Sequence, residues 1–81
     1  MTVTILLFGQ ASDLAGRSSI SIELPEGSRA QDALAAVLRA HPALEAIASH
    51  LAIAVNGALG PASAPLPPRA EIALLPPVSG G

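Results

Sequence analysis

One amphipathic segment, residues 29–40, lies between stretches that alternate apolar and polar with a period of two. That arrangement limits the fold more than any other feature. Ala30, Ala33, Leu34, Val37 and Leu38 recur at helical spacing, so the segment reads as a helix with one apolar face. Ser28 ahead of it reads as the N-cap, with Gln31 completing a capping box. Asp32 falls in the first turn, where the helix dipole favours a negative charge. At about 1.5 Å per residue the helix is roughly 18 Å long, enough to cross four strands spaced about 4.8 Å apart. His41-Pro42 ends it, because a residue before proline avoids the helical region. Pro42 suits the first position of a second short helix carrying Leu44 and Ile47.

Strand patterns flank this centre. Residues 2–8, TVTILLF, are β-branched and apolar and predict a strand. Val3, Ile5 and Leu7 line one face; Thr4, Leu6 and Phe8 line the other. Apolar residues on both faces near its end imply a central position or a second contact surface. Residues 9–16 hold a short helical or turn segment. Residues 18–24 alternate cleanly, with Ile20, Ile22 and Leu24 inward, and read as a half-buried strand antiparallel to the first. Residues 51–55 predict another strand, closed by the hairpin signal Asn56-Gly57 and followed by a brief return arm, residues 58–60. Four prolines make residues 61–68 a stiff, irregular loop, and residues 72–75 form the last strand. Two strands, a helix across one face and further strands make an α+β roll. The first and last strands lie parallel at its centre, because the helix supplies the long crossover. The expected fold is therefore a ubiquitin-like β-grasp: a mixed sheet, one main helix packed on one face, and a free C-terminal tail. Residues 1–81 are expected to form a single domain, with 76–81 as a flexible tail.

The residue inventory excludes many functions. A chain of 81 residues buries only roughly 60–65% of its unfolded surface, but 51% hydrophobic and 12% charged residues do not describe a disordered chain. No apolar run approaches the roughly 18 residues of a membrane helix, and no basic region precedes an apolar one at the N-terminus. A cytoplasmic protein is the expectation. The absence of Cys and Lys removes disulfides, thiol nucleophiles, Cys-based zinc sites and Schiff-base chemistry. It also removes any lysine through which copies of the chain could link to one another. Net charge is −2, with four scattered Arg and Phe8 as the lone aromatic, a poor footprint for nucleic acid. Excess aliphatic surface points to a patch covered by a protein partner.

Internal candidates for chemistry fare no better. His41 and His50 read as structural residues at helix ends, and no metal-ligand spacing joins them. Asp13 and Glu71 read as solvated charges. Ser63 and Ser79 have no evident base partner, and residues 57–60 are too short for a phosphate loop. No metal site is expected.

What remains is the tail, Pro76-Pro77-Val78-Ser79-Gly80-Gly81, directly after a core strand. Prolines limit the conformations lost when such a segment becomes ordered. Glycines, without Cβ, can thread a narrow channel. From Pro77 onward, five extended residues reach roughly 17 Å, enough to enter another protein's active site. A terminal carboxylate resists nucleophiles, so it needs activation, and ATP can convert it to an acyl-adenylate. Sulfur attack on that adenylate yields a thiocarboxylate.

These residues resemble the small subunits of molybdopterin synthase, within the MoaD/ThiS sulfur-carrier family. The likeness runs the whole length: Leu6-Leu7-Phe8-Gly9-Gln10 and Leu14-Ala15-Gly16, then Ala54-Val55-Asn56-Gly57, then residues 71–81. The ending Leu74-Leu75-Pro76-Pro77-Val78-Ser79-Gly80-Gly81 is its most specific part, typical of the molybdopterin branch rather than the thiamine one. The resemblance implies that Gly81 is adenylated by an E1-like (MoeB-like) adenylyltransferase that consumes ATP, the chain itself binding no cofactor. A cysteine desulfurase or rhodanese then supplies sulfur. The tail enters the large (MoaE-like) synthase subunit and donates sulfur to cyclic pyranopterin monophosphate. It further implies a partner interface at Phe8, Leu59 and Leu75, and a chain that acts as cosubstrate with no catalytic side chains of its own. Two places depart from the family pattern: Pro67-Pro68-Arg69-Ala70-Glu71 replaces an acidic Asp-Gly-Asp-Glu turn, and Ser12-Asp13 replaces an Arg-Glu pair. Other readings are a carrier for thiamine or cysteine synthesis, a ubiquitin-like modifier joined to lysines through Gly81, and a plain interaction module.

Overall fold

Hydrophobic periodicity and turn chemistry divide the chain much as expected. In the computed structural model, which describes residues 1–76, the order is β1 (Thr2–Leu7), α1 (Gly9–Ala15), β2 (Ser19–Glu23), α2 (Ala30–Ala40), a 3₁₀ helix (Pro42–His50), β3 (Ala52–Val55), β4 (Ala58–Leu59) and β5 (Glu71–Leu75). The strands form one sheet in the order β2-β1-β5-β3-β4. β1 and β5 are parallel, with Ile5 opposite Ile72 and Leu7 opposite Leu74; the pairs β1–β2, β3–β5 and β3–β4 are antiparallel. This is the mixed α+β sheet with a helix across it that the element order implies.

The topology explains why the last strand is so apolar. α2 carries the chain from β2, on one side, to β3, which runs parallel to β2 but three strand positions away. The gap is about 14 Å at 4.8 Å per strand, matched by a helix of about 16 Å. β5 fills the gap beside β1, so both of its edges are hydrogen-bonded. Its inward residues Ile72 and Leu74 are fully buried with Val3, Ile5, Ala33, Val37 and Leu44. The helical layer lies on that side: α2 and α1 both pack against the 3₁₀ helix, whose Leu44 and Ile47 are buried.

The start of α2 differs from the expected capping box. The residue flanking the helix is Arg29, not Ser28. The Arg29 amide donates to Asp32 Oδ2 at 2.8 Å, so Asp32 supplies the side-chain acceptor that had been expected of the Ser28–Gln31 pair. Ser28 instead donates its hydroxyl to the Pro25 carbonyl at 2.6 Å and closes the preceding turn. No serine cap is needed because the proline-rich loop does that work: the Ala30 and Gln31 amides donate to the Ala64 and Ala62 carbonyls at 2.9 and 2.8 Å. Arg29 ties the loop down from its guanidinium to the Ser63 carbonyl at 2.6 Å. Orphan helix amides and otherwise unpaired loop carbonyls thus satisfy each other. Asp32→Ala removes one charge-assisted acceptor from the helix start. It should cost roughly 0.5–1 kcal/mol, read as a fall in Tm of about 3–6 °C.

The return from the hairpin follows the sequence signal. Asn56 and Gly57 both take positive φ, 50° and 85°, as the tight turn between antiparallel strands requires. The turn into β5 uses Pro68 and Arg69. Arg69 has φ 58°, in the left-handed region where a side chain costs about 1–2 kcal/mol.

Candidate functional site

Strand register brings the apolar residues of the outward face together. Leu6 pairs with Ala73, Ala73 with Ala54, and Ala54 with Leu59, giving a row across β1, β5, β3 and β4. The next row has Leu75 opposite Ala52. Phe8 follows Leu6 by two residues in extended conformation, so it falls on the same face beside Leu75. Among the described residues no helix covers this side. Phe8 is 45% exposed and Leu59 70%, while Leu6, Ala73 and Leu75 are half-buried. Phe8, Leu59 and Leu75, separated widely in sequence, thus share one open surface.

The patch has a boundary. On the β2 side the same face carries Thr2, Thr4, Ser19, Ser21 and Glu23, all exposed, with the Thr2 hydroxyl donating to Glu23. Glu71 opposite Thr4 extends this polar rim. An apolar centre with a polar margin is the usual make-up of a protein-binding surface.

β5 ends within the apolar half. The residue after Leu75 is Pro76, half-buried, beside Gly9 at the start of α1: a Cβ built on Gly9 would lie 3.2 Å from Pro76 Cγ. The remaining tail residues named from sequence, Pro77, Val78, Ser79, Gly80 and Gly81, lie outside the described residues. The strand that leads to them is therefore central in the sheet and emerges at the edge of the exposed patch.

The other candidates are not brought together. His41 follows the end of α2 and His50 ends the 3₁₀ helix, and no group of His, Asp and Glu among the described residues is arranged to hold a metal ion. Asp13 and Glu71 are exposed on α1 and β5, and no hydrogen bond joins them among the described residues. Ser63 offers its carbonyl to Arg29. No pocket opens in the described residues, and no helix among them is long and apolar enough to cross a membrane. Sequence reasoning missed Ala73 as a patch member, Ala54 as the buried residue of the same row, and Gly9 as a neighbour of the tail. Leu6 is legible from the alternation of β1, which puts it on the outward face with Phe8. The two alanines carry no signal until the register is known.

Comparison with known proteins places this geometry in context. The model of the ThiS family matches residues 5–81. The molybdopterin synthase sulfur carrier subunit of Arabidopsis thaliana is 34% identical over 79 residues, covering 98% of this chain and 82% of that protein. The crystal structure of SAMP1, a small archaeal modifier protein of Haloferax volcanii, superposes with a TM-score of 0.91 at 29% identity, covering all of both chains. A complex of subunits 1 and 2 of molybdopterin-converting factor from Helicobacter pylori contains a chain similar at TM-score 0.71 and 29% identity, again over the full length of both.

Proposed function

The chain belongs to the ThiS family, and from that premise we propose that it is a sulfur carrier, the small subunit of a molybdopterin synthase, with Gly81 as the carrying residue. The observation that carries the proposal is the path of β5. It brings the chain from the middle of the sheet to Pro76, at the margin of an apolar face broad enough to dock on a partner. Leu75 of the docking surface is thereby followed directly by Pro76, where the tail begins, so binding a large subunit through Phe8, Leu59 and Leu75 also brings the tail to it.

The chemistry follows from the terminal group. An α-carboxyl with pKa near 3.3–3.7 is more than about 99.9% ionised at neutral pH, and the anion repels nucleophiles. Attack of this carboxylate on the α-phosphorus of ATP, catalysed by an E1-like activating enzyme, releases pyrophosphate and leaves an acyl-adenylate. Sulfur at the oxidation level of sulfide then attacks the acyl carbon and AMP departs, leaving a thiocarboxylate. That sulfur can be handed to cyclic pyranopterin monophosphate inside the large subunit. The chain contributes the acyl carbon, the reach of its tail and the docking face; catalytic side chains come from its partners.

Incubation with ATP, a competent activating enzyme and a sulfide source is expected to shift the intact mass by one oxygen-for-sulfur exchange, localised to Gly81. An unchanged mass would argue decisively against the carrier role. The likeness to SAMP1 favours a second reading, a protein modifier joined through Gly81 to lysines of other proteins. Gly81 found in isopeptide linkage in cell extracts supports that reading; Gly81 found only as acid or thioacid opposes it.

A further inference from the structure

We propose that Gly9 is a positioning residue for the tail: its bare backbone is the seat on which Pro76 packs, and this contact aims the chain as it leaves the sheet. The inference rests on the carrier role proposed above. The parallel register that sets Leu7 opposite Leu74, carried two residues further, sets Gly9 opposite Pro76. At this point the two strands must part. Gly9 turns out of the strand direction with φ +54°, and the Ala11 amide donates to the Phe8 carbonyl at 3.1 Å as α1 begins. β5 ends at Leu75, one residue before Pro76. The Pro76 Cγ stands 3.2 Å from where a Cβ at position 9 would be, so a side chain there would push the ring aside by a few tenths of an ångström.

Two features make the contact directional. Proline holds its own φ near −65°, so a ring seated on one side fixes the course of the next peptide unit more closely than any open-chain residue does. The seat is also the first residue of α1, next to Phe8, at the end of the apolar face on which a partner would dock. Tails leaving in a single direction need no search once that face is engaged. If only a fraction of tails is correctly aimed, the apparent affinity for an enzyme that receives the tail falls by that fraction.

Gly9→Asn tests this. Asparagine enters the left-handed region more readily than other side chains, so the variant adds the Cβ with less backbone strain than they would, and Pro76→Ala tests the contact with no strain at position 9. The readout is pyrophosphate release by the activating enzyme as a function of carrier concentration, with Tm measured in parallel, for the full chain, Gly9→Asn, Pro76→Ala and the double variant. We expect Gly9→Asn to raise KM for the carrier about tenfold with kcat unchanged. Pro76→Ala, which removes the same contact from the other side, should give a comparable rise, and the double variant should be no worse than either single one. An unchanged KM, or a Gly9→Asn effect that persists at full size in the Pro76→Ala background, overturns the proposal. Wild-type chain that a competent activating enzyme fails to adenylate counts instead against the carrier role. The seat is then judged by nuclear Overhauser effects between the Gly9 α-protons and the Pro76 ring, whose absence overturns it.

Discussion

Deletion of Gly81 alone is expected to abolish thiocarboxylate formation while leaving Tm unchanged. The shortened chain still ends in a glycine carboxylate, Gly80, so the chemical group is conserved and only its position changes. One residue of extended chain is roughly 3.5 Å, whereas a misplacement of about 1 Å at a reacting centre can already cost 10²-fold. The fold should not register the loss, because every core residue among those described lies between Val3 and Leu74. Adding one glycine after Gly81 should fail in the same way, by overshooting. The assay is single-turnover sulfur incorporation followed by intact mass, with thermal melts as control. Incorporation by the deleted chain at the wild-type rate would show that the position of the terminus does not matter.

Leu59→Asp and Phe8→Asp are expected to weaken binding to a large synthase subunit by at least about hundredfold each, the size of a typical hot-spot loss. Leu59 is 70% exposed and Phe8 45%, so neither holds the isolated fold together, and Tm should move little. A carboxylate forced into an apolar contact loses its hydration without gaining a partner, and that penalty is what the measurement reads. Ser21→Asp, on the polar β2 side of the same face, serves as the control and should leave affinity within the noise. Titration calorimetry with the large subunit distinguishes the cases. Equal effects at Leu59 and Ser21 would place the interface elsewhere.

Much of this architecture is visible in the residue pattern. The alternation of Val3, Ile5 and Leu7, the helical spacing of Ala33 and Val37, and the Asn56-Gly57 turn each act over a few residues, and local sterics decide them. The capping of α2 was misread for an equally physical reason. Ser28 and Gln31 have the residue types of a capping box, but the loop holding Ala62 and Ala64 is more than thirty residues away in sequence, and its carbonyls reach the helix first. Composition also had consequences that no fold could alter: a chain without Cys or Lys has neither thiol nor side-chain amine chemistry. The tail emerged as the candidate by that elimination and by its resemblance to known carriers.

By itself, then, the sequence determined the inventory, the local elements and their order, because each depends on covalent chemistry or on neighbours within a turn or two. Only the tertiary structure decided which distant residues share a surface. Phe8, Leu59, Ala73 and Leu75 form one open patch because β5 inserts between β1 and β3 in a particular register, and a shift of one residue would turn each of its side chains to the opposite face. The meeting of Gly9 and Pro76 has the same origin. Nothing in either residue's neighbourhood signals the other; the parallel pairing of the first and last strands puts them side by side.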